Sequence, residues 1–112
     1  MTNPLEKEIQ NTICEYLTLK MNQGKLMFWR QNTAPTIQKM GDTWAFRRMS
    51  KYTLKGVADI IIVKDGWAIF LEVKRKNTKQ SADQIEFERL VKKNGAEYNI
   101  VRSLEDVIEL GL

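Results

Sequence analysis

The chain has 112 residues, a formal charge of +4 and a pI near 9.3, which fits one compact domain with a modest core and favours a polyanionic partner. It contains one cysteine, Cys14, and no histidine. That excludes internal disulfides, Ser-His-Asp triads, Cys-His pairs and histidine-based zinc or nuclease sites, so hydrolytic chemistry would need carboxylates, lysine and a hard metal ion. No run reaches transmembrane length and Met-Thr-Asn-Pro is not a signal peptide, so the expectation is a soluble cytoplasmic protein with no membrane partner.

Asn3-Pro4-Leu5-Glu6 predicts a helix start, with Asn3 as N-cap, Pro4 at the first helical position and Glu6 closing a capping box. Leu5, Ile9, Ile13, Tyr16, Leu17 and Lys20 recur at helical spacing and form the buried stripe, and Gly24 ends the helix. Glu8 sits beside that stripe with no capping duty, so it is the candidate acid of this helix, with Glu15 as its rival. Cys14 reads as a small core filler. Leu26 to Arg30 is short, apolar and aromatic, and predicts a strand.

From Lys25 to Lys55 basic residues dominate: Arg30, Lys39, Arg47, Arg48, Lys51 and Lys55, with Asp42 the only acid and Trp44, Phe46 and Tyr52 interleaved. Pro35, Gly41 and Asn32-Thr33 mark part of this stretch as loop, and Thr43 to Arg48 as a short strand. It is either a phosphate-contacting surface or a solvated loop whose aromatics tuck into the core.

Two apolar runs, Ile60 to Val63 and Trp67 to Leu71, flank Asp65-Gly66, the strongest short-range hairpin signal a sequence offers. Counting outward from a two-residue turn pairs Lys64 with Trp67, Ile62 with Ile69, Ile60 with Leu71 and Asp59 with Glu72. Opposed side chains share a face, and Lys74 lies two residues beyond Glu72 on that same face. An acid before a strand, or a Glu-x-Lys after one, is common as a solvated strand end. Here two carboxylates and an ammonium converge at one end of a hairpin whose apolar runs predict burial. Opposed like charges need compensation, and oxygen ligands suit Mg²⁺ or Mn²⁺.

Past the hairpin, Arg75 to Gln80 is a polar, basic loop that includes Lys76. Ser81-Ala82-Asp83-Gln84 predicts a capped helix with Phe87, Leu90 and Val91 on its apolar stripe and Asn94-Gly95 at its end. Gln84 either serves as the capping partner or points back to the strand ends. Glu97 to Arg102 predicts a last strand, parallel to its neighbour, and Ser103 caps a short terminal helix through Leu110. The expected fold class is a single α/β domain over residues 1–112, a mixed central sheet flanked by helices.

These residues together resemble a known family. A helix bearing Glu8, then Asp59, then Glu72-Val73-Lys74, then helix and strand, is similar to the PD-(D/E)xK nuclease superfamily. Lys55-Gly56-Val57-Ala58-Asp59, Ser81-x-x-Gln84-x-x-Phe87 and Val101-Arg102-Ser103 resemble the VRR-NUC family more closely, over essentially the whole chain. Ala58 replaces the usual proline before the first acid.

The resemblance implies a Mg²⁺-dependent DNA endonuclease with a restriction-endonuclease-like core. Asp59, Glu72 and the Val73 carbonyl would hold the ion, Glu8 would contribute directly or through water, and Lys74 would act on the attacking water or on developing charge. An ordinary lysine is a poor base at neutral pH, which favours the electrostatic role. Gln84 joins the catalytic candidates, and Arg30, Lys39, Arg47, Arg48, Lys51, Lys55 and Lys76 are the expected DNA contacts. Small free-standing members look like phage-type proteins of the host cytoplasm, similar to Holliday-junction resolvases that cut four-way junctions as homodimers. The alternatives are a restriction-type, flap or nicking nuclease, and a non-catalytic DNA-binding module.

Overall fold

The computed structural model describes residues 5–31, 36–40, 43–47 and 51–112, with the backbone alone described for 36–40 and 43–47. In chain order the elements are α1 (Glu6–Asn22), β1 (Met27–Arg30), β2 (Thr36–Met40), β3 (Thr43–Arg47), β4 (Ile60–Lys64), β5 (Trp67–Val73), α2 (Ala82–Lys93), β6 (Glu97–Val101) and α3 (Leu104–Glu109). This is a compact α/β domain.

The β4–β5 hairpin has the expected register, from Lys64 opposite Trp67 to Ile60 opposite Leu71. Its turn residues, Asp65 at φ 51° and Gly66 at φ 82°, both take the left-handed backbone that a type I′ turn requires. β1 pairs antiparallel with β4, and β6 pairs parallel with β5, giving the order β1-β4-β5-β6.

Helices cover both faces of this sheet, which is why β4 and β5 are continuously apolar. On one face Ile60, Ile62, Ile69, Leu71, Val73 and Val101 pack with Ile9, Ile13 and Leu17 of α1 and Val107 of α3. On the other, Phe70 and Tyr98 meet Phe87 of α2, with ring centroids 5.4 and 6.3 Å away. Period-two alternation puts Asp59, Glu72 and Lys74 on this second, α2 face, in line with Phe70.

The start of α1 differs from expectation. Leu5 is the N-cap and its N–H donates to the Glu8 carboxylate at 3.2 Å. Glu8, not Glu6, is therefore the capping partner, because the helix begins later in the chain than the Asn3-Pro4 signal implies. Asn3 and Pro4 lie outside the described residues. Leu5 is 54% exposed and does not join the buried stripe. Gly24 closes the helix at φ 74° as expected.

β2 and β3 form a separate antiparallel ribbon, Thr36 opposite Arg47 to Met40 opposite Thr43. β3 matches the expected short strand, whereas β2 falls where the sequence reads as loop: Thr-Ile-Gln-Lys-Met has no apolar alternation of its own, and pairing with β3 supplies its order. The ribbon is inserted between β1 and β4, which are neighbours. It therefore leaves and rejoins the sheet at one end, where the Gln31 N–H donates to the Asp59 carbonyl at 2.8 Å.

Candidate active site

Asp59 stands just before β4, and its Oδ2 accepts the Val73 N–H at 2.8 Å. The bond ties the acid to the end of β5 and leaves its second oxygen for other duties. Glu72 is 1% exposed. Its Oε1 accepts from Gln84 Nε2 at 2.9 Å and lies 4.0 Å from Lys74 Nζ. Its Oε2 is buried with no hydrogen-bond partner, an uncommon state because buried polar atoms are nearly always satisfied. Lys74, 8% exposed, has its backbone fixed by donation from its N–H to the Val101 carbonyl at 3.0 Å.

Burial is the main cause that pushes the Glu72 carboxyl up to about 8, followed by the negative charge of Asp59 and a hydrogen bond to its carboxyl; Lys74 opposes the shift and Glu6 adds to it. As a carboxylic acid Glu72 can donate to Asp59. As a carboxylate it leaves Oε2 orphaned against a second negative charge, a place that a proton or a cation would fill.

Gln84 takes both of its expected roles at once. Its Oε1 accepts the Ser81 N–H at 2.8 Å, completing the capping box of α2, while its Nε2 reaches Glu72. The helix start is placed by Gly56, whose φ is 70° and where a Cβ would lie 2.3 Å from the Asp83 carbonyl carbon and 2.6 Å from Gln84 N. Only glycine lets the chain leading to Asp59 pass this close beneath α2.

The other candidates are distributed as follows. Glu8 is held at the α1 cap, and the α1 acid whose charge bears on Glu72 is Glu6. The sequence assigns Glu6 to the cap, a duty that Glu8 takes in the structure because the helix starts later. Glu15 is exposed. Arg30 shares the α1 face with Ile60 and lies 3.4 Å from Gln10 Oε1. Lys51 lies over the Tyr52 ring at 5.0 Å, and Lys55 and Lys76 are exposed. Arg48, and the side chains of Lys39 and Arg47, lie outside the described residues.

Asp59 and Glu72 form a pair, and among the described residues no group of three His, Cys, Asp or Glu side chains is arranged to hold a metal ion. Two carboxylates are nevertheless a donor set that fits Mg²⁺, which keeps several waters and takes one or two protein carboxylates beside substrate phosphate.

No family model matches the sequence, and no curated protein matches it. A solved structure described as "VRR_NUC domain" superposes with a TM-score of 0.62 at 21% identity, over 94% of this chain and 91% of that one. The chain has the VRR_NUC fold. Within that fold the four-stranded sheet carries Asp59, Glu72 and Lys74 at one end of its central hairpin, under the start of α2. No helix among the described residues is long and apolar enough to cross a membrane.

Proposed function

We propose that this protein is a Mg²⁺-dependent DNA endonuclease that hydrolyses phosphodiester bonds in branched DNA. The observation that carries this reading is the buried Glu72 carboxylate, opposed by Asp59, with Oε2 unsatisfied and Lys74 beside it. Burying one carboxylate against a second is costly, and that cost is understandable if a divalent cation completes the pair. The VRR_NUC description of the similar structure supports the nuclease class.

Asp59, Glu72 and the Val73 carbonyl would hold Mg²⁺, and Mn²⁺ would substitute. Glu6 replaces Glu8 as the α1 acid that adds negative potential. When bound, the ion neutralises the scissile phosphate and lowers the pKa of a coordinated water, so no histidine is required. Lys74 holds its ammonium beside Glu72 and stabilises the negative charge that grows on the phosphorane. Gln84 keeps Glu72 in one orientation. Asp59 is kept in place by its bond to the Val73 N–H.

For the substrate we favour a four-way junction cut by a homodimer. A domain this small covers little DNA, and symmetric cutting of two strands needs two sites related by a two-fold axis. The test is cleavage of matched four-way-junction, flap and linear DNA with Mg²⁺ by the native chain and Lys74→Ala. Paired symmetric cuts on the junction alone, lost in the variant, are expected. Cutting of flap or linear DNA would keep the nuclease and remove the resolvase. No cutting in Mg²⁺ or Mn²⁺ would leave a DNA-binding module.

A further inference from the structure

We infer that the turn between β5 and α2 is a second anion subsite, gripping a backbone phosphate of the DNA strand beside the bond being cut, with Arg102 as its positioning residue. The identity of the anion rests on the nuclease reading; the subsite itself rests on the geometry of the turn.

The turn starts one residue after Lys74. Arg102, just past β6, reaches back to it: Nη1 donates to the Arg75 carbonyl at 2.7 Å and to the Thr78 carbonyl at 3.0 Å. Thr78 folds onto the same Arg75 carbonyl through its N–H at 3.2 Å and its Oγ1 at 2.7 Å. Asn77 takes φ 67° at the tip, a conformation asparagine tolerates better than most residues. The segment is thus a built turn whose carbonyls are tied inward.

Its charges are left over. Lys76 and Lys79 are exposed, and among the described residues neither makes an ion pair. Arg102 donates from Nη1 to carbonyl oxygens, which accept hydrogen bonds without neutralising the guanidinium. Lys76, Asn77, Thr78, Lys79 and Arg102 line a cleft of about 500 Å³ with no acid among them. Glu88 is engaged by Lys92 at 2.7 Å and Gln80 at 3.0 Å, while Asp106 accepts the Arg102 N–H at 2.8 Å and does not line the cleft. Exposed cations on the turn that follows Lys74 in the chain, in a cleft lined by no acid, suit the phosphodiester backbone. By fixing the turn, Arg102 fixes where Lys76 and Lys79 stand.

The experiment measures binding of a DNA duplex oligonucleotide against salt, with Asp59→Asn present throughout so that nothing is cut. Each lost phosphate contact lowers the slope of log K on log salt by about 0.9, so Lys76→Ala/Lys79→Ala should lower it by about 1.8. Arg102→Ala should lower it nearly as far with both lysines present, and the triple variant should add little, since the three act as one unit. An unchanged slope in the lysine pair overturns the subsite. A fully additive Arg102 effect overturns the positioning role. Should Arg102→Ala fail to fold, the exposed lysine pair still decides the subsite, and Arg102→Lys, which keeps the charge but cannot bridge both carbonyls, decides the positioning role by the same slope. Separately, a native chain that cuts DNA while the lysine pair leaves the slope unchanged keeps the nuclease and loses the subsite; a lowered slope without cutting does the reverse.

Discussion

Gln84 joins the start of α2 to the buried carboxylate of Glu72, accepting the Ser81 N–H at 2.8 Å with one end of its amide and donating to Glu72 Oε1 at 2.9 Å with the other. Gln84→Ala removes both bonds. Losing a helix-capping contact costs about 1 kcal/mol, and losing a group that orients a metal ligand costs roughly 10–100-fold in metal affinity or activity. The expected result is a melting temperature lower by several degrees and a cleavage rate lower by more than the stability loss explains. Melting and single-turnover cleavage on one preparation check this. Unaltered cleavage would remove Gln84 from the site.

The pH dependence has a definite sign. Glu72 titrates at about 8 in the folded chain against an ordinary 4.5. Between those values the folded state holds a proton that the unfolded chain has released, so rising pH costs stability across that window. With chelator present, the urea midpoint should fall from pH 5 to pH 9, and Glu72→Gln should flatten the profile. A native profile that rises or stays level over this range would contradict the raised carboxyl.

Gly56→Ala should harm both fold and site. The added Cβ would lie 2.3 Å from backbone atoms of Asp83, at a φ of 70° that alanine disfavours. Backbone strain of this kind costs on the order of 1–3 kcal/mol, and relief requires the start of α2 to move, taking Gln84 with it. Lower thermal stability together with weaker Mg²⁺-dependent protection is expected. Native-like values for both would show that the close approach is dispensable.

Asp59→Asn should bind DNA as well as the native chain, or better, because one negative charge beside the phosphate is gone, while cleavage is lost. Electrophoretic binding and cleavage of one labelled substrate separate the two effects. Retained cleavage would take Asp59 out of the site.

Leu17→Ala acts on the fold alone. Leu17 is fully buried between α1 and the sheet, in the cluster on the face opposite Glu72. A loss of about 2–5 kcal/mol is expected from the cavity, read from chemical denaturation.

The hairpin was legible because its determinants are local: Asp65-Gly66 selects the turn, and the apolar runs fix the register. The pairing arithmetic that set Asp59 against Glu72 followed from those alone. Gln84 was legible only as two alternatives, since sequence spacing does not reveal that an amide has two usable ends. The start of α1 was less legible because Asn3-Pro4 is a strong start signal, while the helix begins after Leu5 and the capping duty falls to Glu8 instead of Glu6. β2 was illegible because its order comes from β3.

The hydrogen bond from the Gln31 N–H to the Asp59 carbonyl closes the base of everything inserted between β1 and β4. Among the described residues β2 and β3 pair with each other, in a sheet separate from the four-stranded one, whereas the stretch that follows them passes close beneath α2 at Gly56 and packs into the core at Ala58. Doubling the length of such a closed segment costs only about 0.6 kcal/mol in chain entropy. The ribbon can thus be lengthened, trimmed or exchanged with little cost to the four-stranded sheet, while Gly56 to Ala58 cannot, making β2 and β3 a replaceable head on a fixed mount.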